Sequence, residues 1–264
     1  MLTEVKNQLK ITALSIKYAL MREMVNKFSF IFNILFMVLN NGCMIIEWII
    51  LFSIKETISG YGLKEIILLW GLASGTYGVS HFFFKNAFNL SDIITNGKLD
   101  AFIVQPKNVL LSAITTDVEP SALGDMLYGY ICLFVYGFSI KRFLLFTLFI
   151  FTGGIICVCV AVILGTLSFY ITKSDLIANT GNSIMINFAT YPDGIFKGFA
   201  KVLLMLIIPL GYAVYMPFHV ILDFNLSYFL ISIGATIGLI ALAFYFFNKG
   251  LHRYSSSNLM IART

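Results

Sequence analysis

Long runs of apolar residues dominate this chain and restrict what it can fold into. Phe28–Phe52 and Phe143–Tyr170 carry one charge between them, Glu47, and each is long enough as a helix to cross a hydrocarbon core of about 30 Å. A water-soluble fold could not cover such runs. Of 264 residues, 59% are hydrophobic and 12% charged, against about a quarter charged in ordinary soluble domains. The 26 phenylalanines suit side chains that face lipid. The chain is therefore expected to be an all-α integral membrane protein, with its 13 acidic and 18 basic residues gathered between the apolar runs. A net charge of +5 in such a setting marks loops held on the cytoplasmic side rather than a nucleic-acid surface.

Breaks in the apolar pattern give the organisation. Residues 1–27 are expected to form an interfacial amphipathic helix, with Leu2, Val5, Leu9, Ala13, Ile16, Leu20 and Met24 on one stripe and Lys6, Lys10 and Lys17 away from it. No continuous apolar core of the signal-peptide kind occurs there, so insertion is expected to rest on the first true span. Residues 28–84 hold spans one and two, the second containing Gly71-x-x-x-Gly75, a spacing that permits close helix approach. Residues 85–120 are too polar to span and too short for a domain. They read as a structured cytoplasmic elbow in which Ser91 caps a short helix, Gly97 ends it and Pro106 forces an extended or turn conformation at Gln105.

Spans three to five are expected within 121–190, with Thr172, Lys173, Ser174 and Asp175 as the turn before the fifth. That fifth segment holds Asn179, Asn182 and Asn187, which suit contact with protein better than lipid. In 191–225, Pro192, Pro209, Gly211 and Pro217 favour two short re-entrant helices, because breakers at membrane depth need protein cover. A sixth span fills 226–249, and 250–264 form a polar tail. With the N-terminus inside, 12 of the lysines and arginines fall on the cytoplasmic side and six outside, which favours cytoplasmic termini.

Few side chains point to chemistry. Cys43, Cys132, Cys157 and Cys159 all lie in apolar stretches without metal-ligand neighbours, and no metal site is expected. His81, His219 and His252 are scattered and read as structural. Glu47 lies inside the first span, where an acid is a functional candidate by default. It either pairs with Lys197 or Lys201 or serves a pathway. Asn179, Asn182 and Asn187 either bond between helices or line a cavity. Asp117, Glu119 and Asp125 are expected to face cytoplasmic water or favour a helix N-terminus.

The order of these parts, together with two motifs, carries a resemblance. Ile94-Thr-Asn-Gly-Lys-Leu-Asp-Ala-Phe-Ile-Val-Gln-Pro-Lys-Asn108, with its G-x-L-D-x-x-x-x-x-P pattern, resembles the elbow of the six-span ABC-2 type exporter permeases. Tyr191-Pro192 and the Ile208-Pro209 to Met216-Pro217 region resemble the segment before their last span. The resemblance implies a permease in a bacterial cell membrane that pairs with a second copy or a sister permease. It further implies that each half docks a cytoplasmic ABC ATPase holding ATP and magnesium. The elbow would carry a coupling helix, with Ile93, Ile94, Leu99, Asp100, Phe102 and Ile103 at the ATPase and apolar side chains exposed among them. Glu47, Asn179, Asn182 and Asn187 are the pathway candidates.

The sequence contains no G-x-x-x-x-G-K-[S/T] loop, so no cofactor is expected in this chain and it is not expected to be an enzyme alone. Two other classes compete with an exporter subunit. An integral membrane enzyme acting on lipids would need a polar constellation; the only candidate, Asp117/Glu119/Asp125, lacks a sequence-near His or Arg. A secondary transporter driven by an ion gradient often carries internal repeats and midplane charges, and neither is evident.

Overall fold

The computed structural model describes residues 2–171 and 174–255. Thr172, Lys173 and Arg263, and the side chains of Leu2 and Val5, lie outside what it describes. All regular elements among the described residues are helical, apart from one isolated bridge between Ile58 and Tyr61.

Helix α1 (Leu2–Glu23) is followed by α2 (Lys27–Ile54), which starts where Asn26 accepts from the Ser29 amide. Helix α3 (Leu63–Phe88) leads into three short elbow helices, α4 (Leu90–Thr95), α5 (Asp100–Ile103) and α6 (Val109–Ile114). Then come α7 (Ala122–Tyr136), α8 (Ile140–Gly165) with a 3-10 turn at Thr166–Phe169, and α9 (Asp175–Ala189). The broken segment follows as α10 (Gly198–Val202), which continues as a π-helical turn, and α11 (Met216–Leu222), which is preceded by one. Helix α12 (Leu226–Leu251) closes the fold.

Four of these, α2, α3 extended through α4, α8 extended through its 3-10 turn, and α12, are long and apolar enough to cross a membrane. Six spans would also require α7 and α9. Each has 15 residues and so a length of about 22 Å, short of a full hydrocarbon core.

The four long helices are used differently. Within their apolar windows α3 is 72% buried and α8 61%, whereas α2 is 11% buried and α12 17%. The sequence explains the difference. Helix α3 carries Gly71, Ser74, Gly75, Thr76, Gly78 and Ser80, small residues that let neighbouring helices approach closely. A Cβ built at Gly129 of α7 would lie 2.6 Å from the Gly71 carbonyl oxygen and 3.2 Å from the Gly75 Cα. The Gly71-x-x-x-Gly75 spacing is thus the seam on which α7 crosses α3. By contrast, α2 exposes Phe28, Ile31, Phe32, Leu35 and Leu39 and buries only Asn41 and Trp48.

Two corrections concern the polar stretches. Ser91 does not cap a helix; Asn89 holds that position, and Ser91 is buried inside α4. Gly97 does end the turn, with a φ of +69° that suits glycine. In α1 the face against the protein is Gln8, Ile11, Ser15 and Ala19, while Leu9 is 65% exposed on the expected apolar stripe. The Ser15 hydroxyl donates to the Thr115 carbonyl at 3.0 Å, and Gln8 accepts from the Asn108 amide at 3.1 Å. Of the described residues on the expected stripe, Leu9, Ala13 and Met24 are exposed while Ile16 and Leu20 are half-buried.

Candidate functional site

Packing of α2 and α9 leaves a wedge between them. Helix α2 rests on α7, and α9 leans on α8 and the edge of α3. The space left over the α3 face is a cavity of about 430 Å³, within the range of small-molecule sites. Met37, Asn41, Met44 and Glu47 of α2 border it, and their spacings of four, three and three put them on one helical stripe. Asn182, Met185 and Ala189 of α9 face it from the other side, and Trp70, Ser74 and Tyr77 of α3 form the floor.

Asp125 closes one wall from the first turn of α7, 5% exposed. The Asn41 amide donates to its Oδ1 at 2.6 Å, and the Ser74 hydroxyl donates to its main-chain carbonyl at 3.0 Å. Three helices therefore meet at this residue. Of the three acids expected to face water or favour a helix N-terminus, Asp125 does stand in the first turn of α7, but buried. Asp117 pairs with Arg22, and Glu119 lies 2.9 Å from the Lys85 ammonium. Both thus have basic partners that their sequence neighbourhood does not reveal, and only Asp125 turns inward.

Of the expected pathway residues, Glu47, Asn182 and Asn187 border this cavity and Asn179 does not; the Asn179 carbonyl accepts from Ser183 within α9. Lys201 lies 3.8 Å from Asp193, so it is committed away from Glu47. Asp125, Asn41, Thr76 and Trp70 were not among the expected residues. Their signal was present as polar or indole groups inside otherwise apolar helices.

A second polar cluster lies at the opposite end of α3 from the elbow, about 39 Å away for a helix of 26 residues. Asp193 gathers it: the Tyr61 hydroxyl donates to Oδ1 at 3.4 Å, and the His219 Nε2 and Lys201 Nζ lie 3.6 and 3.8 Å from Oδ2. The His219 contact does most to hold the Asp193 carboxyl below the usual range, outweighing burial, with the charges of His219 and Lys201 adding to it. Burial, and then the neighbouring carboxylate, push the Tyr61 phenol up to about 12. One carboxylate thus ties the α2–α3 connection to both short helices of the broken segment.

The elbow has an inner and an outer face. Ile93, Ile94 and Leu99 are 6%, 1% and 0% exposed, packed with Leu110, Val158, Val162 and Phe247. They do not offer the exposed apolar surface expected of them. Phe102 is half-buried, and the exposed apolar tip consists of Ile103 and Val104, the latter 83% exposed. Asp100 stands on the outer side. Beneath the elbow, Ser91 lies 2.6 Å from Ser168 and 3.3 Å from Ser174, and these two lie 2.5 Å apart. This buried hydroxyl group links α4 to the end of α8 and the start of α9, whose far half borders the cavity.

Cys132, Cys157 and Cys159 are buried free thiols, Cys43 is exposed, and no His, Cys, Asp or Glu group among the described residues is arranged to hold a metal. His81 is stacked between Tyr77 and Phe88, at 3.7 and 3.8 Å between ring centres.

No curated protein and no solved structure is similar enough to count as a match. A family profile described as "ABC-2 family transporter protein" matches residues 37–258, which take in the cavity, the elbow and the broken segment. On that match the chain belongs to the ABC-2 transporter family, as a multi-pass membrane component of a transporter.

Proposed function

We propose that this chain is one permease half of an ATP-driven exporter, paired with a second copy or a sister permease. In this reading α2, α3, α7, α8, α9 and α12 are its six spans, with local bilayer thinning offsetting the short α7 and α9. Both termini and the elbow are cytoplasmic, α10 and α11 re-enter from the outer side, and the host is bacterial. A separate ATPase, holding the ATP and magnesium, docks on the elbow.

The observation that carries this reading is the two-faced elbow. Its inner residues Ile93, Ile94 and Leu99 are buried in the bundle, while Ile103 and Val104 project outward. A rigid element anchored on one side and apolar at its tip can receive a push and pass it on. The serine group beneath it supplies a route to α9 and the cavity.

The experiment is co-purification of the tagged chain from native membranes. The wild-type protein is expected to bring down an ABC ATPase, and Val104→Asp is expected to lose it by at least tenfold with unchanged membrane insertion and thermal midpoint. Leu99→Asp is unsuitable for this purpose, since it places a charge at a fully buried position and unfolds the elbow. A wild-type chain that recovers no ATPase, or whose transport ignores vanadate, refutes the reading.

A further inference from the structure

The cavity between α2 and α9 has a sign. Two carboxylates border it, Asp125 and Glu47, and no lysine, arginine or histidine among the described residues does. Its other polar groups are neutral. The rest of the wall is largely thioether and aromatic, from Met37, Met44, Met185 and Trp70. Such surfaces adapt to varied apolar shapes, and ring faces attract cations.

A second observation is independent of the acids. Asn182 is 8% exposed and Thr76 is 2% exposed, and both border the cavity. Among the described residues the Asn182 Oδ1, the Thr76 Oγ1 and the Trp70 Nε1, all at this cavity, have no hydrogen-bond partner. Buried polar atoms are almost always satisfied, so three left open on one cavity point to an occupant that satisfies them. The open atom of Asn182 is an acceptor and requires a donor, whereas the Trp70 indole N–H requires an acceptor carried on the body of the occupant. A buried ionised acid likewise requires a positive partner, and no described residue supplies Asp125 with one.

We propose that the cavity binds an amphiphilic ammonium, a protonated amine on an apolar body. The N–H donors meet the Asp125 carboxylate and the Asn182 oxygen, Glu47 adds charge from the open side, and the apolar body lies against the methionines and Trp70. This proposal rests on the permease reading and names the class of its cargo.

The test is a fluorescence titration of the full-length permease, purified alone in neutral maltoside, with dansylcadaverine. Its N-acetyl derivative keeps the ring and removes the charge. Saturable binding of the amine is expected, weakened at least tenfold by acetylation. Asp125→Asn is expected to weaken it by about tenfold to a hundredfold, and Asn182→Ala by a few-fold. Equal binding of the acetylated probe, no saturable binding of the amine, or unchanged affinity in Asp125→Asn overturns the proposal. Should that variant fail to fold, Glu47→Gln on the exposed side of α2 decides, with a loss of at least threefold expected and an unchanged affinity overturning it. Adding phosphatidylethanolamine separates two sources of the ammonium: competition assigns it to a lipid headgroup, and its absence to a free amine.

The titration contains no ATPase, so it is read separately from the co-purification. Failure here with an intact Val104 result removes the cargo class and leaves the exporter half standing. Binding without any ATPase partner removes the coupling and leaves the site.

Discussion

The seam between α3 and α7 makes a sharp quantitative test, because one chemical change can be made where packing differs and backbone does not. Gly129→Ala adds a Cβ 2.6 Å from the Gly71 carbonyl oxygen. That neighbour is main chain in a buried helix, so it cannot rotate aside; the helices must part by about 0.8 Å to restore ordinary contact. Overpacking of this kind costs about 1–3 kcal/mol. For a chain of this size each kcal/mol moves the midpoint by about 2–4 °C, so the variant should melt about 2–12 °C lower. Gly234→Ala and Gly238→Ala, in α12, meet nothing within 4 Å. There alanine's better helix propensity, worth up to about 1 kcal/mol, should leave the midpoint equal or slightly higher. Thermal unfolding followed by fluorescence-detected size exclusion, in one detergent, compares the three. A Gly129→Ala midpoint at or above wild type would refute the seam. Equal losses at Gly234 and Gly129 would show that the exposed wall of α12 is covered by something outside this chain.

Two further outcomes follow from the polar clusters. Ser91→Ala removes the residue that joins α4 to Ser168 and Ser174 while those two keep their own contact at 2.5 Å. A buried hydrogen bond of this kind contributes about 1 kcal/mol, so a midpoint lower by about 2–4 °C is expected, and no change would show the hydroxyl group to be idle. Asp193→Asn should loosen the outer cluster with a pH signature. The folded-state carboxyl titrates below its ordinary value of about 3.9, so its contribution is fully present above that value and fades as pH falls through the folded one. The gap in thermal midpoint between wild type and variant should hold from pH 7 to about 5 and close below about 4. A gap that keeps its width at pH 3 contradicts the assignment.

The helical membrane fold was legible because it follows from run length and punctuation, which are local. Lys27–Ile54 and Leu226–Leu251 are apolar all round, and no partner is needed to recognise them. What escaped was the sidedness of short polar elements. Ile93, Ile94 and Leu99 are apolar residues in a polar stretch, and that pattern alone does not say whether they face the bundle or a partner. Only the positions of α8 and α12, more than 50 residues further along, settle that they face inward. The same holds for Asp125. Its neighbours in sequence include Glu119 and Pro120, which suggest a solvated helix start, yet Asn41 and Ser74 close over it from distant helices. Arg22 and Lys85, which neutralise Asp117 and Glu119, are likewise remote in sequence. Pairings across such separations leave no trace in composition or period.

The uneven burial of the long helices also bears on biogenesis. Helix α2 is made before α3, α7 and α8 and owes them little, since only 11% of its apolar window is buried in this fold. It can therefore leave the translocon early and wait. Helix α3 cannot, because Ser74, Thr76 and Ser80 face hydrocarbon until α7 and α8 arrive to cover them. Synthesis delivers those partners only after the elbow has been made. For that interval α3 is the segment most dependent on the insertion machinery, and a stall or truncation between α3 and α7 would strand it there.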